Sequence, residues 1–191
     1  MKRWMLVAPL SLCVLLVACG GSSTAEATCK EKYWDGEVGT CIAEGWEIID
    51  GETLRQRGVP SETIAAFQMA TSVSGQFPTV AVTREQLSAP AKAGDYSAAS
   101  VRAVEVLPGY KLIDLKDMTI DGSSVRLHIF SAQPLGDEPM RRFYQVSITP
   151  DDGDVGYTTT AVTPMSIGSD VESQVMVVLN SLTFKEPVAT E

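Results

Sequence analysis

The stretch that decides the fold is DYSAASVRAVEVLPGYKLIDLKDMTIDGSSVRLHIFS, residues 95–131. Asp95 is typical of a helix cap, and the following apolar residues recur at helical spacing. This predicted stripe comprises Tyr96, Ala99, Ala103, Val104 and Leu107. The period then changes to two, with Val125, Leu127 and Ile129 alternating with Arg126, His128 and Phe130. Because Asp121-Gly122 is a favoured two-residue hairpin turn, the stretch predicts a helix followed by strands 110–120 and 124–132.

The residues on either side extend this pattern into a sheet and a closing helix. Segments 77–87, 142–149 and 157–162 have the alternation typical of strands. Asp170 is expected to cap a final helix whose apolar positions are Val171, Val175, Val178, Leu179 and Leu182. Consecutive strands with short turns predict an antiparallel sheet, and the amphipathic helices must pack on it. The predicted class is therefore α+β.

The segment before this core, residues 42–76, has weaker patterns. Residues 46–49 are compatible with a first strand or with a docking segment. Residues 52–57 and 61–67 are predicted to be short helices, the second beginning after Pro60.

The order of these elements resembles the PsbP-like fold and its bacterial lipoprotein relatives of the LpqN and DcrB type. The resemblance rests on residues 95–131 and on four further segments, PTVAVTREQL, RRFYQVSI, GYTTTAV and VVLNSLTF. It covers residues 77 to 184 and implies an α/β/α sandwich with a binding or assembly role. It carries over no active-site residue, and residues 187–191 are expected to be a disordered tail.

The first 18 residues have the three zones of a signal peptide. Lys2 and Arg3 precede an apolar run over residues 4–17, which is shorter than the roughly 20 residues that a spanning helix needs. The run ends in Leu16-Val17-Ala18-Cys19, which resembles the lipobox of bacterial lipoproteins. This resemblance implies cleavage before Cys19 and acylation of that cysteine. An ordinary secretory signal with a stray cysteine is the alternative.

Residues 19–28 are expected to form the lipidated cysteine and a small, polar, flexible tether. Such a tether reaches roughly 15–18 Å, so the domain should stay near the membrane. Gly20 replaces the aspartate associated with inner-membrane retention. The predicted location is therefore the outer membrane of a Gram-negative cell or the outer face of a Gram-positive plasma membrane.

The remaining cysteines predict a disulfide. Cys13 leaves with the signal peptide and Cys19 carries lipid, so Cys29 and Cys41 form an even pair in an oxidising compartment. A bridge between them would contribute about 3 kcal/mol in the loop-entropy model. Residues 29–41 then form a closed hairpin around Asp35-Gly36. Its residues Tyr33 and Trp34 are candidate partner contacts, unless they pack back onto the domain.

Composition and motifs restrict the function. Without Lys2 and Arg3, 13 basic residues face 24 acidic ones, a net charge of −11 that disfavours nucleic acid. His128 is the one histidine and lies mid-strand, so a catalytic triad is not expected. The acidic run Asp151, Asp152, Asp154 does not match a calcium loop. We therefore expect no catalytic, cofactor or metal residues.

These observations favour a non-enzymatic, membrane-anchored module that binds or assembles an envelope protein partner. The alternative is a carrier or sensor of a small apolar ligand, such as a lipid, held between the sheet and the helices.

Overall fold

The computed structural model describes residues 27–133, 136 and 138–186. The predicted signal peptide, Cys19, the tether up to residue 26 and the tail at 187–191 lie outside the described residues. The strands are β1 (Cys29–Trp34), β2 (Gly39–Ala43), β3 (Trp46–Ile48), β4 (Thr63–Met69), β5 (Thr79–Gln86), β6 (Lys111–Ile120), β7 (Ser123–Ala132), β8 (Arg141–Ile148) and β9 (Val155–Pro164). The helices are α1 (Gly51–Gln56), α2 (Ala93–Val104) and α3 (Ser169–Asn180).

Seven strands form one antiparallel sheet in the order β3-β4-β5-β9-β8-β7-β6, and β1 pairs with β2 in a separate hairpin. The predicted α+β class is confirmed. Neighbouring strands β6 and β7 are joined by Asp121-Gly122, whose φ angles of 50° and 88° fit the predicted turn. The turn places Ile120 opposite Ser123, which sets the register of the whole edge hairpin.

One face of the sheet is covered by α3 and the β1–β2 hairpin. The predicted apolar positions are buried: Val171, Val175, Val178 and Leu179 lie in α3, whereas Leu182 follows the end of the helix at Asn180. Each such side chain contributes about 1.5–3 kcal/mol when it leaves water. The prediction that Asp170 caps this helix is wrong, since Gly168 occupies that position and Asp170 lies in the first turn. A carboxylate there still favours the positive end of the helix dipole.

The other face is covered by α2 across β7 and β8. This helix begins at Ala93, two residues before the predicted cap Asp95. Its Ala93 N–H donates to the Asp152 carboxylate at 2.9 Å, so a residue from the β8–β9 turn supplies the cap.

Three positions of the predicted α2 stripe are wrong, and one of them, Leu107, lies beyond the end of the helix at Val104. Ala99 and Ala103 are exposed, whereas Ala93 and Ser97 are the buried positions of the helix. Ser97 Oγ accepts a hydrogen bond from the Arg126 N–H at 2.9 Å. Small residues on that face let the helix lie close to the sheet, a contact that a hydrophobic pattern does not reveal.

The predicted helix at residues 61–67 is wrong, because this segment is strand β4. Pro60 instead begins a turn in which its carbonyl accepts from Thr63 N–H at 3.0 Å. Ala65 and Phe67 then point into the core, opposite Val82 and Val80 of β5. Pairing across the sheet overrides the weak local helix preference.

The other two predictions for this region are settled by the structure. The helix predicted over residues 52–57 is confirmed as α1, which Asp50 caps by accepting from the Thr53 N–H at 2.9 Å. Residues 46–48 form strand β3 rather than a docking segment outside the sheet.

The β1–β2 hairpin is held to the end of α3 by hydrogen bonds and by close packing. Cys29 and Cys41 form a disulfide with their Cα atoms 5.5 Å apart. Gly39 and Thr183 exchange backbone hydrogen bonds of 2.8 and 2.9 Å. A Cβ atom at Gly39 would lie 2.8 Å from Thr183 Cγ2 and 2.9 Å from Trp34 Cε3. Only glycine fits this junction without a shift of its neighbours.

Replacement of Gly39 by alanine should therefore destabilise the fold by about 1–3 kcal/mol, the usual cost of overpacking. The measurement is urea unfolding of the Gly39→Ala variant. Gly51→Ala is the matched control, because its Cβ meets only an Arg55 nitrogen at 3.6 Å. Equal stability of the two variants would contradict the tight junction.

Candidate ligand-binding cavity

A cavity of about 950 Å³ lies between the β1–β2 hairpin, α3 and the β6–β7 part of the sheet. Its size falls within the range of ligand clefts, about 300–1,000 Å³. The hairpin forms one wall because it packs on α3 rather than pairing with the large sheet. The cavity thus exists only when the hairpin is docked.

The hairpin wall contains the disulfide and Tyr33. The Tyr33 ring packs edge-on against Phe67, with ring centroids 5.1 Å apart. Burial, reinforced by the nearby Asp35 carboxylate, raises the pKa of Tyr33 to about 12. Tyr33 is therefore a neutral aromatic surface at neutral pH. Trp34 lies over Gly39, and both aromatic side chains are half-buried.

The helical wall comes from the side of α3 next to its buried stripe. Met176 and Val177 give this wall an apolar surface, while Glu172 and Ser173 occupy the preceding turn. The Tyr144 hydroxyl donates to Glu172 Oε1 at 3.1 Å, which positions that carboxylate at the cavity. Burial raises the pKa of Tyr144, so its hydroxyl stays protonated and remains a donor.

The sheet contributes Ile129 and Lys116 to the cavity. Ile129 is buried, and the Lys116 ammonium pairs with Asp114 at 3.2 Å on the exposed edge of the sheet. Most of the lining surface is apolar, and each of the three walls adds one charged residue: Lys32 from the hairpin, Lys116 from the sheet and Glu172 from α3. This arrangement suits an apolar molecule whose polar group stays near water.

The sequence pattern did not predict this site as a set of residues. Its walls come from three distant parts of the chain, and no local motif joins them. The one signal in the sequence was α3, where Met176 and Val177 lie outside the predicted buried stripe. Because the buried stripe already fills one side of the helix, two further apolar residues indicate that a neighbouring side of α3 is also covered.

His128 lies on the opposite face of the sheet from this cavity, among aromatic side chains. It is 1% exposed, and its Nε2 is 3.0 Å from the Tyr110 hydroxyl. Its Nδ1 has no hydrogen-bond partner among the described residues. Phe130 packs beside it with ring centroids 4.6 Å apart. Burial lowers the pKa of His128, so the ring is neutral at neutral pH.

The acidic turn after β8 serves the fold in separate contacts. Asp152 caps α2, and Asp151 pairs with Lys185 at 3.6 Å. Across residues 27–133, 136 and 138–186, no group of three or more acidic, histidine or cysteine side chains could hold a metal ion. Asp114 and Asp117 lie on opposite faces of β6, so they do not form a facing carboxylate pair.

Within the part of the chain that the structure describes, no helix is both long enough and apolar enough to cross a bilayer.

Comparison with known proteins identifies the fold. Neither protein-family profiles nor the curated proteins gave a match. Solved structures do match. LpqN from Mycobacterium tuberculosis, described as involved in cell envelope biogenesis, has a TM-score of 0.55 at 14% identity, covering 78% of this chain and 85% of LpqN.

Two further structures have the same fold. The cyanobacterial PsbP of Synechocystis has a TM-score of 0.55 at 16% identity, over 89% of this chain and 99% of that protein. The Ran-binding protein Mog1p of Saccharomyces cerevisiae has a TM-score of 0.54 at 10% identity, over 83% and 96%. The predicted PsbP-like fold is thus confirmed.

The buried His128 predicts a pH dependence of stability. Because folding lowers its pKa below 6.5, the unfolded chain takes up the proton first as the pH falls. The free energy of unfolding should not depend on His128 above about pH 6.5. Below that pH it should decrease by at most about 1.4 kcal/mol per pH unit for one proton. Denaturant unfolding at about pH 7.5 and about pH 5.5 should show this loss in the native chain and a smaller loss in His128→Gln. An equal loss in both would assign the effect to other groups.

Proposed function

We propose that this chain is a lipid-anchored, extracytoplasmic binding module without a catalytic role, and that it holds an apolar ligand in the hairpin cavity. The observation that carries the proposal is the cavity itself, about 950 Å³ with a mainly apolar lining. The cavity is open to solvent and has the volume of a typical ligand cleft, which supports a binding role.

The position of the cavity supports the proposed anchor. Ala27 and Cys29, where the described chain begins, both line the cavity. Ala27 is eight residues after Cys19, and eight residue-to-residue steps span at most roughly 29 Å. An acyl group on Cys19 would therefore hold the cavity close to the membrane, which is the source of apolar ligands.

The chemistry of the cavity supports binding rather than catalysis. Burial keeps Tyr33 protonated, and the disulfide removes the thiols of Cys29 and Cys41 as nucleophiles. His128, the natural general base, lies across the sheet from the cavity. The remaining side chains of the cavity suit the binding of an apolar ligand by shape and of its polar group by a charged side chain.

The structural neighbours supply a setting for this proposal. LpqN is described as involved in cell envelope biogenesis, and an envelope role fits a chain with a lipobox-like Cys19. The Cys29–Cys41 disulfide and the proposed anchor at Cys19 together favour the extracytoplasmic face of a membrane, because disulfides persist in oxidising compartments.

A second candidate function is the binding of an envelope protein partner. Tyr33 and Trp34 favour it, since both are half-buried in a rigid hairpin and aromatic side chains are frequent interface anchors. Mog1p, which has this fold, is described as Ran-binding. In this case the cavity would receive an apolar side chain of the partner.

Filling the cavity should abolish ligand retention. Ser173 lines it from α3, so Ser173→Trp places an indole in the space, whereas Ser173→Ala leaves it open. Native mass spectrometry of protein purified from membranes should show a bound small molecule in the native chain and in Ser173→Ala. We expect at least about a tenfold loss in Ser173→Trp, which corresponds to about 1.4 kcal/mol. Equal retention in all three, or a bound protein instead, would contradict the apolar-ligand proposal.

Replacement of Cys19 should release the protein from the membrane. Cys19→Ser removes the thiol that acylation requires. Metabolic labelling with a palmitate analogue should mark the native chain and not the variant, and the variant should leave the membrane fraction. A Cys29→Ser, Cys41→Ser double variant is the control and should still be labelled. Labelling of Cys19→Ser would contradict the proposed anchor.

A further inference from the structure

Large exposed apolar side chains are concentrated at one end of the sheet. This end, called the proximal end, is where β6 and β8 begin and β7 and β9 end, as the pairing of Lys111 with Ser131 and of Arg141 with Pro164 shows. Of the eight large apolar residues that are exposed in the described chain, six lie at this end: Phe77, Val106, Leu112, Ile113, Met140 and Met165. We call these six residues the proximal row.

The proximal row extends across the sheet, although its members are far apart in sequence. Phe77 precedes β5, Met165 follows β9, Met140 precedes β8 and Ile113 lies in β6. These strands follow one another in the order β5-β9-β8-β7-β6. With about 4.8 Å between strands, the row is roughly 19 Å wide. Val106 is 84% exposed just after α2 and adds a contact beside the row.

The chain enters the domain at the same end. Ala27 shares the cavity with Ser169 and Glu172 of the first turn of α3. That turn begins five residues after β9 ends at Pro164. An anchor on Cys19, at most roughly 29 Å from Ala27, would therefore hold the proximal end toward the membrane.

The opposite, distal end of the sheet is acidic. It contains the β1–β2, β6–β7 and β8–β9 turns and the end of β5, and Glu37 is placed there by its bond to the Tyr157 hydroxyl at 3.2 Å. The acidic residues of this end are Asp35, Glu37, Glu62, Glu85, Asp121, Asp151, Asp152 and Asp154, and exposed Lys92 lies next to the β8–β9 turn. Arg84 and Lys185 each neutralise one of these carboxylates. Anionic headgroups repel such a surface within about a Debye length.

We propose that the proximal row docks on the bilayer to which the lipid anchor attaches, with the acidic distal end directed away from it. This orientation rests on the proposed anchor at Cys19. The apolar side chains enter the interfacial region only, because strand ends carry backbone groups that need water or headgroup partners. Lys111 begins β6 beside Leu112 and is exposed to the headgroups. The part of the cavity lined by Ala27 then lies close to the lipid from which a ligand would enter.

The test places a fluorescent reporter at each end of the same strand. Ile113→Trp lies in the proximal row, and Thr119→Trp is the matched control on exposed β6 six residues away, roughly 20 Å along the strand. The full-length acylated proteins are reconstituted in phosphatidylcholine vesicles with brominated acyl chains, and the signal of Trp34 and Trp46 in the native chain is subtracted. We expect at least about twofold quenching of Ile113→Trp and no quenching of Thr119→Trp. If Ile113→Trp does not fold, Val106→Trp replaces it outside the sheet.

Three results would overturn the inference, each for a different reason. Equal quenching at both positions, or none at Ile113→Trp in vesicle-bound protein, would show that the row does not touch lipid. A blue-shifted Ile113→Trp emission without vesicles, together with a dimer in analytical ultracentrifugation, would assign the row to a second copy. Failure of the native chain to remain with the vesicles would remove the anchor, and the orientation with it.

Discussion

The packing of α3 across the sheet is the contact on which the rest of the structure depends. Val171, Val175, Val178 and Leu179 fill the core on one side of this helix. The C-terminal end of α3 then receives the hairpin, since the Val178 carbonyl accepts from Thr40 Oγ1 at 2.7 Å and Ser181 Oγ accepts from Cys41 N–H at 2.8 Å. One helix therefore completes the core and also holds the wall of the cavity.

The two faces of the sheet have different chemistry. The α2 face is closely packed, whereas the α3 face contains the cavity. The α2 face has a short network in which Ser147 Oγ lies 2.6 Å from Ser100 Oγ and 2.9 Å from Thr158 Oγ1. Small hydroxyl residues there allow close helix–sheet contact. The α3 face carries the larger apolar core, which the hairpin also covers. The cavity arises on the face where three elements meet rather than two.

The hairpin buries Val38, Ile42 and Ala43 in the main core, and further contacts fix its position. The disulfide closes β1 against β2, the Gly39–Thr183 backbone pair joins it to the chain after α3, and Tyr33 reaches Phe67 in the sheet. Three kinds of contact thus hold one small element. A binding site built on such an element is well defined in shape although it lies at the surface.

The sequence by itself determined the α+β class, the β6–β7 turn and the buried stripe of α3, because these follow from local periodicity and turn chemistry. It also predicted the pairing of Cys29 with Cys41, which form a disulfide in the structure. Only the tertiary structure decided that 63–69 is a strand, that Asp152 caps α2, and that the hairpin, α3 and the sheet enclose a cavity. Each of these depends on residues distant in sequence, whose approach is selected by the total burial of the core and leaves no local pattern in the chain.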